Sequence, residues 1–173
     1  MLIEYHPFPP FVPDNCKYLI LGSFPGKNST VYPAAEYWSY EGDRNQFWKI
    51  LRLLYKRNLS TKAEKIQLFS DLRLANTDII LSCSRKNNSN LDSNLTAKVY
   101  NIEAIDSILT DNSIEKIFFT GKGVEREFKI HFKSILNRHP EVQLIALPSP
   151  SPAYAALNFE KKLEIYRELL PVI

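Results

Sequence analysis

Four short, uninterrupted apolar runs constrain what this chain can fold into: residues 18–21 (YLIL), 79–81 (IIL), 117–120 (IFFT) and 142–147 (VQLIAL). None alternates cleanly between apolar and polar side chains, so each reads as a strand covered on both faces. Between and after them the spacing predicts helices. Residues 45–55 place Phe47, Ile50, Leu51 and Leu54 on one stripe, and Ile102, Ile105, Ile108 and Leu109 form another within 101–111. Residues 124–136 and 158–170 follow the same pattern, and 61–72 reads as a helix capped by Thr61 or Ser60. Strands alternating with helices specify an α/β chain, a parallel sheet with helices on both faces. With 173 residues and 45% hydrophobic side chains, one domain over 1–173 buries a sizeable core, and the proline-rich start, residues 1–16, is expected to pack on it as an arm.

Composition removes several classes of function. Cys16 and Cys83 are too few for a disulfide framework or a four-cysteine zinc or iron-sulfur site, and three histidines add little, so neither metal nor cofactor is expected. The first thirteen residues lack a basic start followed by an apolar stretch, so no secretory signal is read there. No apolar run approaches the roughly 18 residues of a membrane span. A cytoplasmic protein without a membrane partner is expected. The net charge of +3 does not by itself indicate a polyanion. What counts is whether the basic residues converge.

The sparse glycines and clustered prolines give the next constraint. In open parallel sheets ligands bind beyond the carboxyl ends of the strands, and the four expected exits run into Gly22-Ser23-Phe24-Pro25-Gly26, Ser82-Cys83-Ser84-Arg85-Lys86, Gly121-Lys122-Gly123 and Pro148-Ser149-Pro150-Ser151-Pro152. The first reads as a tight turn or as a rigid loop whose N–H groups point at a ligand. It is neither a Walker loop nor GxGxxG, and Ser23 directly after Gly22 is not the GxSxG elbow. In the last, alternating prolines fix the directions of Ser149 and Ser151, which suits a phosphodiester, although a plain surface loop reads the same way. Tyr154 is a wedge for a base stack or an ordinary half-buried tyrosine. Tyr37, Trp38 and Tyr40, just before Gly42 and Arg44, are satellite core or a face for a planar base. Residues 84–94 form a polar loop with two cations. Together these features fit a nucleobase with its phosphates better than a metal or an acyl substrate. If so, Lys27, Arg44, Arg85, Lys86 and Lys122 share one face.

These residues resemble the uracil-DNA glycosylase superfamily. Gly22-Ser23-Phe24-Pro25-Gly26 resembles its first motif, and 147–152 its second. Tyr40 through Asn45-Gln46-Phe47-Trp48 is similar to the aromatic-x4-Asn-x-Phe-Trp stretch of the mismatch-specific and hypoxanthine branches. Ser82-Cys83-x-Arg85 followed by Asn90-Leu91-Asp92-Ser93 resembles the hypoxanthine-type branch, and the order of motifs matches over about residues 18–170.

The resemblance implies a three-layer α/β/α sandwich with a four-stranded parallel sheet, acting without a cofactor on DNA that carries a deaminated or mismatched base. It implies extrusion of the base and hydrolysis of its N-glycosidic bond by a monomer. On that reading Asn45 positions the attacking water, with Ser23 and Asp43 as further catalytic candidates. Gly22, Phe24 and Tyr40 face the base, and either Asp78 or Ser82 reads its edge. Gly26, Lys27, Arg44, Arg85, Lys86, Lys122, Ser149, Ser151 and Tyr154 hold the DNA. The chain also departs from the family pattern. GSFPG has no carboxylate to activate water, Leu147 stands where the second motif holds His or Asn, and Gly42-Asp43 replaces His-Pro. These departures support an alternative, a nucleic-acid-binding module that kept the groove and lost the chemistry. A small hydrolase using Ser23 or Cys83 is disfavoured, because no histidine is expected near a strand exit: His6 falls in the arm, His131 in a helix and His139 at a turn.

Overall fold

The computed structural model describes residues 2–27, 38–42, 44–89 and 91–173. Its central sheet is parallel and four-stranded, in the order β3-β2-β6-β7. The strands are β2 (Tyr18–Gly22), β3 (Leu74–Asp78), β6 (Lys116–Phe119) and β7 (Gln143–Ala146). Alternate residues of these strands enter two different cores. Leu19, Leu21, Ala75, Ile117 and Phe119 enter one, with α3 (Ile102–Asp111), α4 (Lys122–His131) and α5 (Lys133–Arg138). Ile20, Leu74 and Phe118 enter the other, with α1 (Phe47–Tyr55), α2 (Lys62–Asp71) and α6 (Phe159–Leu169). A strand with both faces buried has no polar side to show, which explains the uninterrupted apolar runs.

The second parallel strand is not the one the apolar pattern suggests. It is β3, whose sequence LANTD is half polar yet buried throughout. Several of its polar atoms find partners inside: Asn76 Nδ2 donates to Ser39 Oγ at 2.8 Å, and Thr77 Oγ1 accepts from Asn101 Nδ2 at 3.1 Å, while Asn76 Oδ1 is buried without a described partner. The run 79–81 instead opens β4 (Ile80–Arg85), the middle strand of a separate antiparallel sheet with β1 (Ile3–Tyr5) and β5 (Leu95–Tyr100). The start of the chain is therefore an integral strand of this sheet, with Ile3, Glu4 and Tyr5 paired to Ser84, Cys83 and Ser82. Farther along, Phe11 bridges to Asn76 of β3.

Among the helices, α2 starts with a capping box. Thr61 Oγ1 accepts from Glu64 N, and Glu64 Oε2 accepts from Thr61 N. The single helix expected over 124–136 is two, broken at Phe132, whose buried ring stacks on Phe128 with centroids 4.5 Å apart. No described helix is long and apolar enough to cross a membrane.

Candidate active site

At the carboxyl ends of β2, β3 and β6 a cleft of 790 Å³ opens. Its floor is the first glycine loop. Gly22 closes β2, and Ser23, Phe24, Pro25, Gly26 and Lys27 run along the cleft. The N–H groups of Ser23 and Phe24 donate to no described backbone carbonyl. The loop is clamped from below by Arg85, whose guanidinium is 3% exposed. Arg85 donates to both carboxylate oxygens of Glu4, to Pro25 O at 2.9 Å and to Ser89 O at 3.2 Å, and it lies 5.7 Å from the Phe24 ring centroid. The expectation that Arg85 meets DNA is thereby corrected: its charge is spent inside the protein.

Asp78 ends β3 directly beside Gly22 in the parallel register and lines the cleft. Of the two residues proposed to read a base edge, only Asp78 reaches the cleft. Ser82 lies within β4, opposite Tyr5 and Val99, and is buried away from it. Asp78 is itself held by a histidine. His6 Nε2 donates to Asp78 Oδ2 at 2.9 Å, with both side chains at most 5% exposed. The arm thus brings a histidine to a strand exit, contrary to the reading that none lies there. Its partner is a carboxylate, while Cys83, buried in β4 with its thiol pushed up by burial, has no access to the cleft.

The opposite wall is the segment before α1. Tyr40, Glu41, Gly42, Arg44 and Asn45 all line the cleft. Tyr40 adopts φ 64, a left-handed conformation that costs an aromatic residue on the order of 1–3 kcal/mol and that tends to occur at functional sites. Its ring packs on Phe47 at 4.1 Å between centroids, and its hydroxyl is buried without a hydrogen-bond partner. Burial, then the negative Asp78 nearby, pushes the Tyr40 phenol well above its ordinary value, so it stays protonated. Asn45 Oδ1 accepts from Phe47 N at 2.9 Å, which fixes the amide plane and leaves its Nδ2 and a second lone pair for a ligand. Trp38 is core, buried and stacked on Trp48. Tyr37 and Asp43 lie outside the described residues.

The proline segment closes the third side with Ser149, Pro150, Ser151 and Pro152. Three buried anchors hold it. Gln46 N donates to Pro150 O, Tyr166 Oη to Pro148 O and Lys162 Nζ to Ser151 O, each at 2.9 Å. The extended stretch ends at Pro150, and from Ser151 onward the chain turns. Ser149 Oγ and Ser151 Oγ each accept from an N–H two residues on, at 3.2 Å, leaving the hydroxyl protons to donate outward. A smaller depression next door is lined by Lys122, Gly123 and Tyr154 and shares Asp92, Thr120, Val124 and Ser149 with the cleft. Of the five cations expected on one face, Lys27, Arg44 and Lys122 are there. Lys86, exposed on the turn after β4, lines neither hollow.

Motif reading missed one acidic side chain. Asp92, on the 3-10 turn Asp92–Asn94, lines both hollows and hydrogen-bonds the Ser23 side chain across the cleft. It keeps solvent access on the open side, yet the crowding walls desolvate it and raise its carboxyl above the usual carboxylate range. The Ser23 bond opposes that rise, and the charge of Asp78 adds to it. The only hint in the sequence is the 90–93 stretch, which carries no role by itself. Glu41 also lines the cleft, ion-paired with Lys65. No described group of three His, Cys, Asp or Glu side chains is arranged to hold a metal ion.

The family model of the uracil DNA glycosylase superfamily matches residues 9–170. The chain belongs to the uracil DNA glycosylase superfamily. That membership places it among the DNA glycosylases as a class, with DNA as its partner. Among solved structures it is similar to the solution NMR structure of a candidate uracil DNA glycosylase from Methanosarcina acetivorans. That likeness has a TM-score of 0.64 and 20% identity, over 97% of this chain and 99% of the other. At such identity the likeness shows a shared fold. No curated protein matches the sequence.

Proposed function

We propose that this superfamily member is a monofunctional glycosylase that extrudes a deaminated base, uracil or hypoxanthine, from DNA and hydrolyses its N-glycosidic bond without a cofactor. One observation carries the reading: the glycine loop, the Tyr40–Asn45 wall, the proline segment and Asp78 enclose a single cleft at the carboxyl end of the sheet. Extrusion costs a few kcal/mol of unstacking and is easier at a mismatch, which gives selectivity before any contact with the base. In the cleft the base lies against Tyr40, with the Ser23 and Phe24 N–H groups facing its carbonyl oxygens and Asp78 at its edge. Lys27, Arg44, Ser149 and Ser151 take the flanking phosphates. As the bond from C1′ to the base breaks, its electron pair leaves with the base. A water held by Asn45 attacks C1′ and releases its proton to solvent. An amide orients water but is a poor base, and fixed N–H dipoles carry the stabilisation without reorganising, so turnover is slow.

The test is a panel of single- and double-stranded oligonucleotides containing uracil, hypoxanthine, xanthine or mismatched thymine, incubated with the full chain and scored for abasic product. Cleavage of uracil or hypoxanthine supports the reading. Salt-dependent binding with no abasic product on any base overturns it and favours a binding module that lost the chemistry.

A further inference from the structure

We propose that His6 is a positioning residue of the base-reading pocket: it holds one oxygen of Asp78, so that the carboxylate meets the extruded base with the other oxygen alone. This rests on the placement of Asp78 at the base edge proposed above.

The main chain delivers the ring. Pairing of β1 with β4 continues through His6 N, which donates to Leu81 O at 2.8 Å and turns the side chain toward the exit of β3. There Nε2 donates to Asp78 Oδ2. The other side of the ring is equally fixed. Nδ1 lies 2.8 Å from Phe8 O and 3.2 Å from Phe8 N, so the Phe8 backbone fixes the ring on this side. Phe8 and Phe24 pack edge-on against the imidazole at 6.0 and 5.9 Å between centroids. His6 therefore has no freedom to do anything but orient Asp78.

Asp78 has one oxygen to spare. Its only side-chain hydrogen bond to a described residue is the one to His6, and Oδ1 turns toward Gly22 on the cleft side. A carboxylate this buried is tolerated only with a partner, and His6 satisfies that need without covering Oδ1. The result is a fixed point that accepts one hydrogen bond and donates none. The ring N–H of a lactam edge, N3–H of uracil or N1–H of hypoxanthine, is its complement. At the same place cytosine and adenine present a lone pair, which a carboxylate oxygen repels.

The test is a double-mutant cycle on the full chain, read in two ways: single-turnover cleavage of the deaminated oligonucleotide, and affinity for the free product bases uracil and hypoxanthine by NMR titration. We expect His6→Ala to weaken both readouts by about tenfold or more, the loss of one charge-assisted hydrogen bond. His6→Gln, which keeps an N–H donor, recovers most of the loss. In an Asp78→Ala background His6→Ala changes either readout by less than about twofold, because the two residues act as a unit. Thermal melts at the assay temperature establish that each variant is folded. Equal losses in both backgrounds, no recovery in His6→Gln, or no binding of a free base by the wild type overturns the proposal. If the wild type binds a free base but cleaves no oligonucleotide, the glycosylase reading falls and the coupling seen in base binding alone decides the role of His6.

Discussion

Gly22 and Asp78 are partners in the parallel ladder, so close that a β-carbon on residue 22 would overlap Asp78 Oδ1 and stand 3.2 Å from the Tyr40 ring and hydroxyl. The exit of β3 and the Tyr40 wall converge on this one missing side chain.

Gly22→Ala is therefore expected to push Asp78 off its bond with His6 or Tyr40 off Phe47. Overpacking of this kind costs about 1–3 kcal/mol of stability. Cleavage should fall further than the loss of folded protein explains, by about tenfold or more for a displacement at the reacting centre. Single-turnover rates beside thermal melts separate the two, and an alanine variant with the wild-type rate rules the crowding out as a functional constraint.

Asn45→Ala removes the amide proposed to hold the water. The expected loss is at least about tenfold in rate, with oligonucleotide affinity unchanged, the signature of an interaction used in the transition state. The bond from Phe47 N to Asn45 Oδ1 is lost as well, at a stability cost of about 1 kcal/mol. Asn45→Ser retains a side-chain oxygen for the Phe47 N–H and isolates the catalytic share.

Asp92 gives a pH dependence of known sign. Its carboxyl is raised in the folded protein, so the folded state binds more protons than the unfolded one above the ordinary carboxylate range. Stability contributed by this group is highest at acidic pH and declines as pH rises through the ordinary value to the raised one. Asp92→Asn abolishes that decline and raises Tm at neutral pH, by no more than about 2 °C because the open side of the cleft screens the charge. Melting curves from pH 4 to 8 check it. A lower Tm for the asparagine variant at neutral pH contradicts the assignment.

Arg85 is bonded to Glu4, Pro25 and Ser89 inside the protein while Arg44 is exposed, and the difference is measurable. Arg85→Ala removes the guanidinium from Glu4 and frees the Pro25 carbonyl, and breaking a buried pair costs about 3–5 kcal/mol. Arg44→Ala leaves stability within about 0.5 kcal/mol and lowers the slope of log binding constant against log salt by about 0.9 on duplex DNA, one phosphate contact. Denaturant titrations and a salt series on the same two variants decide both.

The residue pattern revealed different parts of the molecule unequally. β2, β6 and β7 were legible because strands packed between two helical layers are mostly apolar, with Lys116 and Gln143 at the first positions of β6 and β7. β3 was not, since Asn76, Thr77 and Asp78 are buried and bonded to Ser39, Asn101 and His6 through one side-chain atom each, and such pairing is invisible along the chain. The neighbouring apolar run at 79–81 took its place. The cap of α2 was legible to within one residue, Thr61 or Ser60, and the capping box with Glu64 assigns it to Thr61. The break at Phe132 was not, because no glycine or proline marks it. In the cleft, glycine and proline announce rigid backbone locally, so the first loop and the proline segment were readable. Arg85 looked like a free cation because its partner Glu4 is 81 positions away, and His6 looked remote because Asp78 is 72 positions on.

The three residues of β1 form a short edge strand with an open outer face, joined to the rest chiefly by one ladder and the Glu4 and His6 contacts. Edge strands of this kind detach at free energies well below that of global unfolding. Mild denaturant can therefore peel this strand while the parallel sheet stands, releasing the clamp beneath the glycine loop and the grip on Asp78 in one event. The cleft is then expected to lose its shape before the protein loses its fold, which makes the earliest stretch of chain the latch on a hollow built at the far ends of other strands.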